Sequence, residues 1–225
     1  MKRILSLLIL IVLYSCGSSG NSPEFIEQVS GRYLFNSDES IEIYFTDNDL
    51  FVKWRGNKNI EPLKINDSTF YMKEMNEKII FVSQPNVHIT LAPKREHEGV
   101  TYHFEKLTKG TKTPAEYLKN NEFEKALTGY LGIQQRDSLD RNIRERTLNS
   151  LGYRAMRDKK HQKAINIFKI NIALYPTSSN TYDSLGEAYW ELNDTINALA
   201  NYKKALSINP ENRRAKRFLK KHKLK

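Results

Sequence analysis

The 225 residues, 39% hydrophobic and 28% charged, suffice for one or two small globular domains, and this balance excludes an intrinsically disordered chain. The net charge of +10 is unevenly placed: residues 1–21 carry two basic groups and no acid, 22–110 carry 11 basic and 14 acidic, and 111–225 carry 23 basic and 12 acidic. A mildly acidic region followed by a strongly basic one implies two domains of different character.

The chain opens with Lys2 and Arg3, continues through an almost wholly apolar run from Ile4 to Leu13, and then reaches Tyr14-Ser15-Cys16. This is the pattern of a signal peptide over residues 1–15. The apolar run covers about half of a bilayer core, which needs roughly 20 helical residues, so a permanent transmembrane anchor is disfavoured. Leu13-Tyr14-Ser15-Cys16 resembles the lipobox of bacterial lipoproteins, in which cleavage leaves the cysteine as a diacylated first residue. Cys16 is the only cysteine in the chain and has no disulfide partner within it. The resemblance implies membrane attachment through lipidated Cys16 in a bacterial cell envelope. Gly17 is not the aspartate that retains such proteins in the inner membrane, which implies the outer membrane, with the leaflet left open. Residues 16–27, beginning Cys16-Gly17-Ser18-Ser19-Gly20, read as a flexible tether.

From residue 28 to 110 the hydrophobic period becomes two. Ile41-x-Ile43-x-Phe45, Leu50-x-Val52-x-Trp54, Leu63-x-Ile65, Phe70-x-Met72, Ile79-x-Phe81, Val87-x-Ile89-x-Leu91 and Tyr102-x-Phe104 each predict a half-buried strand. Turn-rich clusters such as Thr46-Asp47-Asn48-Asp49 and Gln84-Pro85-Asn86 separate them. With Val29 to Phe35 added, about eight short strands are expected, in an antiparallel barrel or sandwich. Phe45, Trp54, Phe70, Phe81 and Phe104 face inward in this reading and either fill the core or line an apolar ligand cavity. His88, His97 and His103 have no metal-ligand spacing, so neither a metal nor a cofactor is implied.

The order Gly31-Arg32-Tyr33, Leu63, Phe70 and Phe104-Glu105-Lys106-Leu107 resembles the small lipocalin-like domain at the C-terminal end of β-lactamase-related serine hydrolases. The hydrolase domain itself is absent from this sequence. Its Ser-x-x-Lys nucleophile does not occur: Ser138, Ser150, Ser184 and Ser207 are followed three residues on by Arg141, Tyr153, Glu187 and Pro210. No catalytic residue carries over, and the chain is expected not to be an enzyme. The resemblance leaves room for an accessory subunit of a separately encoded hydrolase.

Thr113-Pro114-Ala115-Glu116 is a capping pattern that opens a helical domain over 111–225. Residues 179–212 contain Tyr182-x2-Leu185-Gly186-x2-Tyr189, then Ala198-x3-Tyr202-x2-Ala205, then Pro210. Gly186 and Ala198 are small where two helices must approach closely, and Pro210 follows the last periodic residues. Leu148, Leu151, Gly152, Ala164, Phe168 and Pro176 repeat the pattern 34 residues earlier over 145–178, with Ala155 and Asn171 departing from it. These spacings resemble tetratricopeptide repeats and imply stacked helix-turn-helix units of the kind that bind proteins. Ala126 and Tyr130 mark a degenerate earlier repeat over 113–140, with a four-residue insertion near Arg136 to Asp140. Ala215, Phe218, Leu219 and His222 form the stripe of a capping helix over 211–223. The fold class is therefore α+β and multidomain: a small antiparallel β-barrel or sandwich followed by a helical repeat stack.

The remaining surface of the C-terminal stretch is basic: eight lysines and arginines oppose Glu211 alone over 211–225. This face is open to solvent, to anionic lipid or to an acidic protein partner; nucleic acid is not expected of an exported lipoprotein. The concave surface of the stack is expected to display Arg146, Asn149, Tyr153, Met156, Arg157, Asn180, Asp183, Glu187 and Trp190. Tyr153 and Trp190 are the expected anchors for a protein or peptide, with packing against a neighbouring helix the alternative for Trp190. Asp183 and Glu187 are expected to repel a peptide's terminal carboxylate. The functional expectation is a non-enzymatic envelope lipoprotein that binds a protein or peptide through its repeats, with small apolar ligand binding by the β domain as the alternative.

Overall fold

A computed structural model describes residues 20–136 and 140–222. The leader, Cys16, the middle of the expected insertion and the last three lysine-rich positions lie outside the described residues. The tether expected over 16–27 is helical from Pro23 onward. Ser22 caps helix α1 (Pro23–Val29) by accepting from the Phe25 amide, and Pro23 at its first position has no amide to leave unpaired.

Nine strands follow among the described residues, in two antiparallel meanders. One is β1 (Gly31–Leu34), β2 (Ser40–Thr46), β3 (Asp49–Trp54) and β4 (Asn57–Ile60); the other is β5 (Leu63–Lys64), β6 (Thr69–Met72), β7 (Glu77–Val82), β8 (His88–Leu91) and β9 (His103–Glu105), each in sequential order. The sheets meet along β1 and β9, where Tyr33 bridges Lys106 and the Leu107 amide donates to the Arg32 carbonyl at 2.7 Å. No ladder joins β4 to β5, so the sheets form an open pair and not a closed barrel.

The alternation holds for most strands. Ile41, Ile43, Leu50, Val52, Trp54, Phe70, Met72, Ile79, Phe81 and Ile89 are buried between the sheets, each contributing about 1.5–3 kcal/mol of transfer free energy. The exception is Leu63-x-Ile65. Lys64 pairs with buried Phe70 and so takes the inner face, which turns Leu63 and Ile65 outward, 69% and 45% exposed. Phe25 of α1 fills the end of the sandwich, packing edge-on against Phe81 with centroids 5.5 Å apart and stacking on Phe70 at 6.1 Å. The inward aromatics are core, as are Phe35, Trp54 and Phe104 at the other end.

The helical region starts at α2 (Pro114–Lys119), where Thr113 and Glu116 complete the expected capping box. Helix α3 (Phe123–Arg136) follows, burying Ala126, Tyr130 and Ile133. In this first unit the leading helix has only six residues, because the preceding chain is still leaving the sheet. Then come α4 (Glu145–Arg157) and α5 (His161–Leu174), and α6 (Ser179–Glu191) and α7 (Thr195–Ile208), whose bounds are offset by 34 residues at both ends of both helices. This is a tetratricopeptide-like arrangement. Gly152 and Gly186 face Phe168 and Tyr202 of the paired helix, where a Cβ on Gly152 would overlap the ring and one on Gly186 would sit 3.2 Å from it. Asp194 caps α7 through the Asn197 amide, and α8 (Arg213–Lys221) closes the stack with Ala215 and Phe218 buried.

The two domains share a built junction. Arg32 of β1 grips both carboxylate oxygens of Glu116 at 2.8 Å, the Ala115 amide donates to the Ser37 carbonyl at 3.0 Å, and Arg136 pairs with Glu105 at 2.7 Å. No helix among the described residues is long and apolar enough to cross a membrane.

Candidate functional site

The leading helices of successive units touch through their side chains. Asn180 of α6 donates to Glu145 of α4 at 2.9 Å, and the Tyr153 hydroxyl of α4 donates to Glu187 of α6 at 2.7 Å. Tyr153 and Glu187 stand 34 residues apart, so equivalent positions of adjacent units meet side by side. Helix α8 joins the same row: Asn212, its cap, donates to Ser179 at 2.8 Å, and Arg214 reaches across to Tyr153, Glu187 and Asp183.

This divides the nine expected groove residues into two sets. Arg146, Arg157 and Asn180 are exposed, and Asn149 and Met156 are half-buried. Asn149 has its Oδ1 buried without a hydrogen-bond partner among the described residues. Tyr153, Asp183, Glu187 and Trp190 belong to internal contacts instead. Asp183 is buried and takes the Arg214 Nε at 3.0 Å. Trp190 meets Phe218 edge to face at 4.9 Å and lies 4.3 Å from His222, both contributed by the C-terminal segment. It packs against a neighbouring helix, the alternative to its role as an open anchor.

Electrostatics follow from this packing. Burial pushes the Asp183 carboxyl up to about 6, against the pull of Arg214 and with the help of Glu187. Burial likewise pushes the Tyr153 hydroxyl up to about 12, with Glu187 adding to the shift. Arg214 lies between both carboxylates, so Asp183 and Glu187 are not the free repulsive pair expected from the sequence. Arg214 is a groove residue that the sequence reading misses, although it stands one further repeat beyond Asn180 and Arg146; extending the 34-residue register past Pro210 places it. The basic face of α8 correspondingly loses one member, leaving Arg213, Lys216, Arg217, Lys220 and Lys221 outward.

The β domain offers a different feature. A cleft of about 800 Å³ lies where the ends of its strands face α3, lined by Phe35, Tyr102, Phe104, His97, Ile133 and Arg136 among others. His97 is buried, its Nε2 lies 3.1 Å from Glu77, and its Nδ1 has no partner among the described residues. His88 and His103 stack at 4.1 Å, and burial together with His88 lowers the tendency of His103 to take a proton. No cluster of three or more metal-ligating side chains occurs among the described residues.

No protein-family model matches the chain, and no curated protein matches it. Solved structures similar to it are helical-repeat domains. The first TPR domain of human RPAP3 shares 21% identity, over 48% of this chain and 82% of that one, with a TM-score of 0.34. The Sgt2 TPR domain from Aspergillus fumigatus shares 19% over 49% and 72%, with a TM-score of 0.34. The Arabidopsis OM64 TPR domain shares 19% over 48% and 89%, with a TM-score of 0.33.

Proposed function

We propose that the chain is a non-enzymatic bacterial envelope lipoprotein, held at the outer membrane by acylated Cys16, whose helical repeats bind an extended segment of another protein. The observation that carries the reading is the row formed by α4, α6 and α8. Hydrogen bonds from Tyr153 to Glu187, Asn180 to Glu145 and Asn212 to Ser179 tie the three helices together, which favours a row organised before any partner arrives. Arg146, Arg157 and Asn180 remain exposed and Asn149 and Met156 half-buried, a polar and basic surface that carries one apolar side chain. Arginine at such positions contributes strongly to interfaces. Affinity capture from detergent-solubilised envelopes tests this: Arg146→Ala with Arg157→Ala is expected to cut recovery of the bound protein about tenfold, the scale of one or two interface side chains. Unchanged recovery by the folded double variant overturns the assignment. Mass spectrometry of the membrane-bound chain tests acylation of Cys16 separately.

A second reading, small-molecule binding by the β domain, is favoured at the cleft beside α3 and not inside the sheet pair. His97, whose buried Nδ1 has no partner among the described residues, is one of the residues lining that cleft, and the cleft's volume suits a small organic molecule. Native mass spectrometry of protein taken from its own host, showing no retained mass that His97→Ala removes, would sink this reading.

A further inference from the structure

The outward edge of β5 lies at the end of the β domain from which the chain runs back to Cys16. Lys64 donates to the Gly20 carbonyl at 3.2 Å, and Asn21 bonds twice to the Asn48 carbonyl, at 2.8 and 3.2 Å, so the first described residue is pinned beside β5 and the β2–β3 turn. Four peptide units separate Gly20 from Cys16, a reach of at most about 14 Å. Leu63 and Ile65 flank Lys64 in the chain, face outward, and are 69% and 45% exposed. Half-exposed Tyr71 stands directly opposite Leu63 in the ladder. Two exposed aliphatic side chains and a tyrosine on one face, within a short tether of an acyl anchor, suit the interfacial layer of a bilayer, where aliphatic groups enter and an amphipathic ring sits at headgroup depth.

Resting on the lipid anchor proposed above, we infer that the β5 face, through Leu63, Ile65 and Tyr71, lies against the membrane surface and fixes the orientation of the protein on it. The charges around it select the kind of surface. Glu61, two residues before Leu63, is exposed, the Asp67 side chain is fully exposed 3.5 Å from Lys64, and Asp47 and Asp49 are exposed in the adjoining turn. Lys78, directly opposite Tyr71 in the ladder, is exposed on the same face, so four acids against Lys64 and Lys78 leave a net negative surface that disfavours an anionic lipid surface and fits a zwitterionic one.

The chain has a single cysteine, which acylation blocks, so Leu63→Cys and Ile65→Cys accept an environment-sensitive fluorophore at one position each. Ile196→Cys, at a site 82% exposed on α7, serves as the control. In phosphatidylethanolamine–phosphatidylcholine vesicles carrying the acylated protein, labels at 63 and 65 should shift to shorter wavelength and be quenched by a lipid-borne quencher. The label at 196 should stay water-like, and anionic lipid should weaken the effect. Labels at 63 and 65 as open to a water-soluble quencher as the one at 196 overturn the inference. So does protection from both quenchers, which would mean that another protein strand covers β5. If mass spectrometry finds Cys16 unacylated, the anchor reading fails by itself. Coupling the Cys16 thiol to a maleimide lipid, in a chain labelled first at 63 with Cys16 protected, then tests the β5 face alone: quenching from the lipid supports its membrane contact, and quenching from water overturns it.

Discussion

Trp190 of α6 and Phe218 of α8 meet edge to face, ring centroids 4.9 Å apart and planes at 83°. Phe218 also stacks on Tyr202 at 4.0 Å, so one aromatic of the last helix covers both helices of the second repeat. A repeat pair cannot bury its own apolar faces, and here the last nine-residue helix supplies the missing cover. Phe218→Ala should therefore cost about 3 kcal/mol of stability in the helical domain. Trp190 fluorescence, read with Trp54 replaced by Phe, should move toward longer wavelength. Urea unfolding followed by circular dichroism measures the first effect and an emission spectrum the second.

Arg214 is the only described cation paired with buried Asp183. Removing it leaves a carboxylate out of water without its counter-charge. Arg214→Ala should destabilise the stack by about 1–2 kcal/mol, below the roughly 3–5 kcal/mol typical of fully buried pairs because the guanidinium is partly solvated. Asp183→Asn added to Arg214→Ala should recover part of the loss. A double-mutant cycle in urea tests both statements, and additivity of the two changes would refute the coupling.

The same carboxyl gives a pH dependence. Asp183 ionises at 3.8 in the unfolded reference and at about 6 in the folded chain, chiefly because it is buried. Between these values the folded state holds a proton that the unfolded state has lost. Its contribution to stability is fully present below the lower value and is lost as pH rises through the upper one. The difference in unfolding free energy between Asp183→Asn and the parent should therefore change across that window, with the parent losing stability relative to the variant as pH increases. A constant difference would show that the carboxyl titrates normally.

Gly152 and Gly186 occupy the same repeat position in different surroundings. Alanine is favoured over glycine within a helix by about 1 kcal/mol. At Gly186 the added Cβ would sit 3.2 Å from the Tyr202 ring, a contact that small shifts relieve, so Gly186→Ala should be close to neutral. At Gly152 it would overlap the Phe168 ring, and overpacking of about 1–3 kcal/mol should exceed the helical gain. Thermal midpoints measured for the two variants should show the larger drop at Gly152.

Arg32 and Glu116 couple the β domain to α2, the first helix of the helical region. Burial acts to raise the Glu116 carboxyl, but hydrogen bonds from Arg32 and the Thr113 amide, with Lys112 nearby, bring it below the ordinary value. Arg32→Ala removes the Arg32–Glu116 contact across the junction, keeps the Ala115–Ser37 and Arg136–Glu105 bonds, and leaves the capping box in place. Calorimetry should then show the single transition broadening or separating into two, whereas Arg32→Lys should keep part of the coupling.

Much of the helical domain is present in the spacing of its residues. Glycine or alanine is needed wherever two helices approach, and that need recurs every 34 residues, so the offset of α4 from α6, and of α5 from α7, follows from Gly152, Gly186, Ala164 and Ala198. Most strand positions are equally legible, because burial of one face of a sheet imposes a period of two; β4 (Asn57–Ile60) is not, since only Ile60 of its four residues is buried and no alternation marks it. The partners of those strands are not. Alternation fixes which face a residue takes and says nothing of whether β4 and β5 close a barrel, or that Leu63 and Ile65, apolar and correctly spaced, would face outward because Lys64 takes the inner position opposite Phe70. The helical entry at Pro23 is hidden because α1 spans only seven residues and is held by buried Val29 and by Phe25, whose ring neighbours Phe70 and Phe81 lie far along the chain.

The groove shows the same division. Helical phase, carried by residue spacing, sets which positions of α4 and α6 leave the repeat core. Which of them stay open depends on contacts made by distant parts of the chain. Arg214 and Phe218 arrive from α8 to occupy Tyr153, Asp183, Glu187 and Trp190, leaving Arg146, Asn149, Met156, Arg157 and Asn180 as the remaining surface. Helical phase is a local property of consecutive residues, whereas exposure depends on what the rest of the chain brings to that face.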